Sequence, residues 1–133
     1  MVALTNDRST PLRNNQLTAH PVAAAKRIYA GALVCINASG YLTPGATATT
    51  LKAAGRAEES VNNSAGADGD VLAQVRRGCF KFANNGSITI AHTLGTAYIV
   101  DDQTVAADSG TSTRSVAGTI YEVESDGVWV QVG

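Results

Sequence analysis

Residues 116–132 read VAGTIYEVESDGVWVQV, and this stretch decides the fold class. Val128, Val130 and Val132 alternate with Trp129 and Gln131. A period of two puts the three valines on one face of an extended strand. Asp126-Gly127 joins that run to Val116–Glu124. Asp and Gly both tolerate positive φ, so the pair predicts a hairpin.

The same grammar extends toward the N-terminus. Asn85-Gly86 lies between Cys79–Ala83 and Ser87–Ala91 and predicts a second hairpin. Asp70–Arg77 alternates Val71, Ala73 and Val75 against Leu72, Gln74 and Arg76, until Gly78 interrupts it. Ala32–Asn37 alternates as well, Ser39-Gly40 turns the chain, and Tyr41–Thr43 returns. Ala53–Val61 is a further strand with Gly55 at a bend, and Ala97–Asp101 is another. Leu17–Ala25 is a strand interrupted by Pro21, which assigns it to a sheet edge or a bulge. Ala23–Tyr29 and Thr47–Ala57 contain alanines but no i, i+3, i+4 stripe, so no helix is predicted. The expectation is an all-β chain of about eight to ten short strands forming a small barrel or sandwich.

Two passes of one pattern run through the chain. Gly31-Ala-Leu-Val, Ala54-Gly55-Arg-Ala-Glu-Glu and Gly69-Asp-Val-Leu-Ala-Gln-Val form the first. Gly95-Thr-Ala-Tyr-Ile-Val, Ala117-Gly118-Thr-Ile-Tyr-Glu and Asp126-Gly-Val-Trp-Val-Gln-Val form the second. The elements recur at offsets of 64, 63 and 57, the last because the second loop is shorter. Either the body has two related halves, 31–77 and 95–133, or an Ala/Gly/Val-rich sequence repeats by coincidence. Two units are too few for a solenoid.

The chain has 133 residues, which fits one domain. Its charged fraction of 16% lies below the usual quarter or so of a soluble domain. Residues 1–81 carry nine Lys/Arg against five Asp/Glu, while residues 82–133 carry Arg114 alone against six acids. That asymmetry either favours head-to-tail contact between copies or reflects chance in a small sample. No basic run exceeds two residues and the aromatics are scattered, so nucleic acid is not an expected partner. No segment approaches the roughly 18 apolar residues of a membrane helix, so no membrane partner is expected either. Met1–Pro11 is polar and does not read as a secretory leader. Cys35 and Cys79 are accordingly expected as buried free thiols of a protein made in a reducing compartment.

The same residues offer little to catalysis. His20 and His92 have no Cys, His or carboxylate at metal-ligand spacing, and the cysteines form no C-x-x-C pair. No G-x-S-x-G elbow or phosphate-binding G-x-x-x-x-G-K-[ST] loop occurs. Asp101, Asp102 and Asp108 do not have the spacing of a calcium loop. Glu58-Glu59 and Arg76-Arg77 are adjacent pairs that a strand divides between two faces. The reading is a non-enzymatic chain with no catalytic residue, cofactor or metal.

The order Lys26-Arg-Ile-Tyr-Ala-Gly-Ala-Leu-Val, Ala38-Ser-Gly-Tyr-Leu-Thr-Pro, Ala54-Gly-Arg-Ala, Gly69-Asp, and Val75-Arg-Arg-Gly-Cys-Phe consists of mostly small and apolar motifs, which specify a β-framework more than a site. It continues with Tyr98-Ile-Val-Asp-Asp-Gln-Thr-Val, Ala117-Gly-Thr-Ile and Asp126-Gly-Val-Trp-Val. Over Lys26–Val132 this resembles the head-decoration (capsid cement) proteins of tailed phages, including Mu-like relatives. The resemblance implies a β-barrel or β-tulip-like body, 26–133, seated on the outer capsid surface after synthesis in the host cytoplasm. It implies the major capsid protein as partner, self-association as a trimer or a dimer, and no catalytic residue.

Residues 1–16 show neither strand nor helix period and are broken by Pro11, so they read as a disordered terminus or as an arm that orders on a partner. The resemblance extends an arm to residues 1–25. In that arm Leu4, Leu12 and Leu17 are the expected apolar anchors, and Arg8 and Arg13 the expected partners of capsid carboxylates. A tail or baseplate component, or a host-surface glycan-binding module, is the alternative.

Overall fold

The valine face of the closing segment is where the core forms. Val128, Val130 and Val132 are fully buried, while Trp129 is half-buried and Gln131 exposed. The structure, a computed structural model, describes residues 2–133. The protein is all-β. In chain order the strands are β1 (Leu17–Pro21), β2 (Lys26–Ile28), β3 (Leu33–Ile36), β4 (Leu42–Pro44), β5 (Lys52–Ala57) and β6 (Val61–Asn63). There follow β7 (Leu72–Arg76), β8 (Gly78–Asn84), β9 (Thr96–Ile99), β10 (Thr104–Ala106), β11 (Val116–Glu124) and β12 (Gly127–Val132). A short 3₁₀ turn, Ile90–His92, stands between β8 and β9.

Ten of these strands form two five-stranded sheets. The first has the order β1-β7-β5-β3-β4; the second, β10-β8-β12-β11-β9, closes into a barrel. The strands β2 and β6 make a small antiparallel pair beside the first sheet. Several strands are only three residues long, too short for alternation to show. This is why β2, β6 and β10 are not visible as separate runs in the sequence.

Each sheet repeats the other's topology. Reading the barrel from β8 gives β8-β12-β11-β9-β10, which matches β1-β7-β5-β3-β4 position by position. The registers agree as well. Val34 pairs with Gly55 as Ala97 pairs with Gly118, and Cys35 pairs with Ala53 as Tyr98 pairs with Val116. Each partner in the second sheet lies 63 residues after its counterpart. The same step relates Ile36–Leu42 to Ile99–Val105. In both sheets one alanine, Ala54 or Ala117, is bulged out of the ladder at this point. The true correspondence therefore differs from the sequence echo by one residue in β3 and β9. It differs by two in β7 and β12, where Arg56–Arg76 matches Thr119–Gln131.

The bulge explains why glycine stands next to each alanine. At Gly55 a Cβ would be driven into the Arg76 carbonyl, and at Gly118 into the Gln131 carbonyl. Neighbouring backbones approach so closely there that a side chain has no room.

Two expectations need correction. Asn85-Gly86 does not make a hairpin, because Asn84 captures the following backbone. Its Oδ1 accepts from the Gly86 and Ile88 amides at 2.8 and 3.2 Å, and its Nδ2 donates to the Ile88 carbonyl at 2.8 Å. Asn85 Oδ1 also accepts from the Ser87 amide at 3.0 Å. Local side-chain bonds thus replace a ladder, the segment turns into the 3₁₀ turn, and β8 pairs with β10 and β12. The arm expected over 1–25 ends at residue 16, since β1 is paired with β7 and Val22 is fully buried. Met1 lies outside the described residues.

Candidate functional site

The two sheets meet end to side. Leu33 and Cys35, on the outer face of β3, are fully buried within the core of the barrel, beside Phe80, Ile99 and Val130. Backbone and hydroxyl bonds rim this seam. The Leu33 amide donates to the Asp102 carbonyl at 2.8 Å, and Thr47 Oγ1 donates to the Val100 carbonyl at 2.8 Å. Ser115 Oγ donates to the Ala48 carbonyl at 2.6 Å and accepts from the Leu51 amide at 3.1 Å. The Arg56 guanidinium lies 4.5 Å from the centroid of the Phe80 ring. The outer wall of the first sheet therefore caps the end of the barrel. Val34, Val75, Ala73 and Leu42 form a separate core inside the first sheet.

The expected arm residues are not gathered into one site. Leu4 and Leu12 are 72% and 98% exposed, and Arg8 and Arg13 are exposed on the same segment. Residues 2–16 contain no strand, and their internal bonding is local, such as the Thr10 amide donating to the Arg8 carbonyl at 3.0 Å. Leu17 stands apart from them, in β1 opposite Arg76. The segment is fixed to the body at its root, where the Arg77 amide donates to the Gln16 carbonyl at 2.8 Å.

The titratable groups are organised as surface ion pairs and inert thiols. Glu58 accepts from Arg56 at 2.7 Å and lies 3.5 Å from Arg76, which holds its carboxyl below the usual range, the Arg56 hydrogen bond first. Lys81 bridges Asp126 at 2.6 Å and Glu124 at 3.6 Å. Burial pushes the Cys35 thiol up to about 12 and raises that of Cys79, so both are poor nucleophiles at neutral pH. Both cysteines are free, Cys35 buried as expected but Cys79 only half-buried. Among the described residues no three His, Cys, Asp or Glu side chains come together as a metal-ligand group.

One surface feature escaped the sequence reading. On the outside of the barrel, Tyr121 and Trp129 flank a shallow open groove lined by Cys79, Glu122, Glu124 and Gln131. Trp129 Nε1 donates to Glu124 there. Tyr121 follows inward-facing Ile120 and so points outward, to the face of Trp129; a register shift then sets Glu122 directly opposite Trp129. The two aromatics meet across the hairpin, so neither strand read by itself shows the groove. Family models, curated proteins and solved structures were all compared with the chain, and none matches.

Proposed function

We propose that this protein is a non-enzymatic structural subunit of a phage particle, binding the outer surface of the capsid and reinforcing it. The reading starts from the decoration-protein resemblance and rests on one observation. Leu4 and Leu12 stand 72% and 98% exposed on a segment anchored only at its root, beside Arg8 and Arg13. Apolar side chains without partners in their own chain are what a segment that orders on another protein presents.

The major capsid protein is the proposed partner. The arm lies along it in extended form, with the leucines as anchors and the arginines meeting carboxylates. Each contact can be weak, because a shell repeats it over many equivalent sites. The rigid double-sheet body resists deformation of the shell under the pressure of packaged DNA.

Deleting residues 2–16 tests the proposal. The truncated body keeps its circular dichroism spectrum and melting transition but no longer co-sediments with capsids lacking the protein. Undiminished capsid binding by the folded truncation removes the reading.

The groove between Tyr121 and Trp129 favours a second reading, a host-surface glycan module, since carbohydrate rings stack on paired aromatics. Binding on a glycan array that is lost in Trp129→Ala would support it over the capsid reading.

A further inference from the structure

The internal repeat makes a prediction about surfaces. In the first sheet the outer face carries Leu33 and Cys35, and both are fully buried because that face caps the end of the barrel. Their counterparts 63 residues later, on the barrel's own outer face, are Thr96 and Tyr98. Thr96 is exposed and Tyr98 half-buried, and Val116, the counterpart of Ala53, is 51% exposed. One copy of the repeated face is thus covered inside the chain and the other is bare.

The receiving end is duplicated too. At the capped end of the barrel stand Phe80, Ile99 and Ser115, the last bonded across the seam to Ala48 and Leu51. The corresponding end of the first sheet presents Thr18, Ile36 and Lys52, with Lys52 opposite Ile36 in the ladder. Thr18 and Ile36 are only half-buried and Lys52 is exposed, so this end has no cap within the chain. The two halves also differ in overall charge. Residues 1–81, which carry the open end, hold nine Lys/Arg and five Asp/Glu, whereas residues 82–133, which carry the bare face, hold one and six.

We infer that the β9/β11 outer face of one copy caps the open end of the first sheet of a second copy, repeating between molecules the seam that joins the two sheets within one. The contact is head-to-tail, so it either closes into a ring or propagates as a chain. It is independent of capsid binding, since the arm of the proposed function takes no part in it.

Sedimentation of the full chain alone tests this, with two variants at exposed positions. Val116→Arg spoils the capping face, and Lys52→Glu reverses the charge at the receiving end. The wild type is expected to exceed the 13.7 kDa of one chain by a whole-number multiple. Each variant is expected to sediment as a monomer with an unchanged melting transition. An equal mixture of the two variants retains one intact face and one intact end, and is expected to stop at a dimer.

A wild type that stays monomeric at all concentrations overturns the inference, and so does a multimer that survives both substitutions. A mixture that remains monomeric also overturns it, because a head-to-tail contact must be restored by complementation. Monomeric wild type that loses capsid binding on Val116→Arg would assign the face to the capsid, and would leave the arm's role to the truncation experiment.

Discussion

The first sheet and the barrel have the same strand order, the same bulge and the same register, yet they close differently. In the barrel, β8 and β10 form a parallel ladder, Ala83 beside Thr104 and Asn84 beside Val105. In the first sheet the corresponding edges meet through a single bridge, Val22 to Leu42. The bond that makes the bridge is shared: the Ala23 amide donates to the Leu42 carbonyl at 2.8 Å, as the Asn85 amide donates to the Val105 carbonyl at 3.1 Å. The next bond is not. Ala83 donates its amide to the Gln103 carbonyl at 2.8 Å, and the residue at the matching position is Pro21, which has no amide hydrogen. The interiors differ in the same direction. Phe80 and Phe82 fill the barrel where the first sheet has Thr18 and His20. Topology is thus set by the bulge and the ladder registers, which both halves keep. Completeness of closure and filling are set by a few side chains, which they do not.

The largest expected effect comes from the feature the halves share. Gly55→Ala and Gly118→Ala each push a methyl group into a carbonyl of the adjoining strand, and Gly55 adds a φ of +148°. Each substitution should cost more than about 3 kcal/mol in urea unfolding, in the range reserved for overpacking and backbone strain. Equal costs would show that the two bulges are equivalent in energy as well as in geometry. A change below about 1 kcal/mol at either position would refute the close approach there.

A smaller effect probes the difference. Ala83→Pro removes the donor to Gln103 and gives the barrel the edge chemistry of the first sheet. The expected loss is about 1–3 kcal/mol, the cost of leaving a carbonyl without its partner. The reverse change, Pro21→Ala, restores a donor worth about 1 kcal/mol but frees the unfolded chain by a similar amount. It should therefore leave the urea midpoint nearly unmoved. A large gain from Pro21→Ala would mean that the first sheet is held open by this residue alone.

Much of this architecture is readable from the residues. Alternation places Ala73 and Val75 inward and Gln74 outward in β7, and the three valines of β12 inward, as found. It fails at β3, where Leu33, Val34 and Cys35 are all fully buried because the strand lies between two cores. A strand covered on both faces carries no period to read. It fails again at Asn85-Gly86, where the preceding Asn84 outbids the turn with three hydrogen bonds to the backbone. That residues 2–16 form no strand was legible from their lack of period. The groove at Tyr121 and Trp129 is not visible along either strand alone, since it needs the two placed across the hairpin from each other. Nor does sequence show which copy of the repeated outer face is covered, since that is decided by how the two sheets are stacked.

The last test turns on His20, the residue that stands where the barrel has Phe82. It faces the interior of the first sheet opposite Ala73 and is half-buried. Burial lowers its pKa below the ordinary 6.5, because the charged ring is poorly solvated there. The unfolded chain therefore takes up a proton at a higher pH than the folded one. Stability from this residue is fully present above pH 6.5 and declines as pH falls through that value toward the lower folded value. The depressed carboxyls of Glu58 and Asp126 also lose stability as pH falls, but only below their ordinary values of 4.5 and 3.8, so the window from pH 6.5 to 5 belongs to the histidine. Urea midpoints measured across that window should fall for the wild type and stay level for His20→Phe, which also gives the first sheet the barrel's aromatic. A wild-type midpoint that holds steady from pH 7 to 5 would place His20 in solvent, and with it the claim that the two interiors correspond at this position would fail.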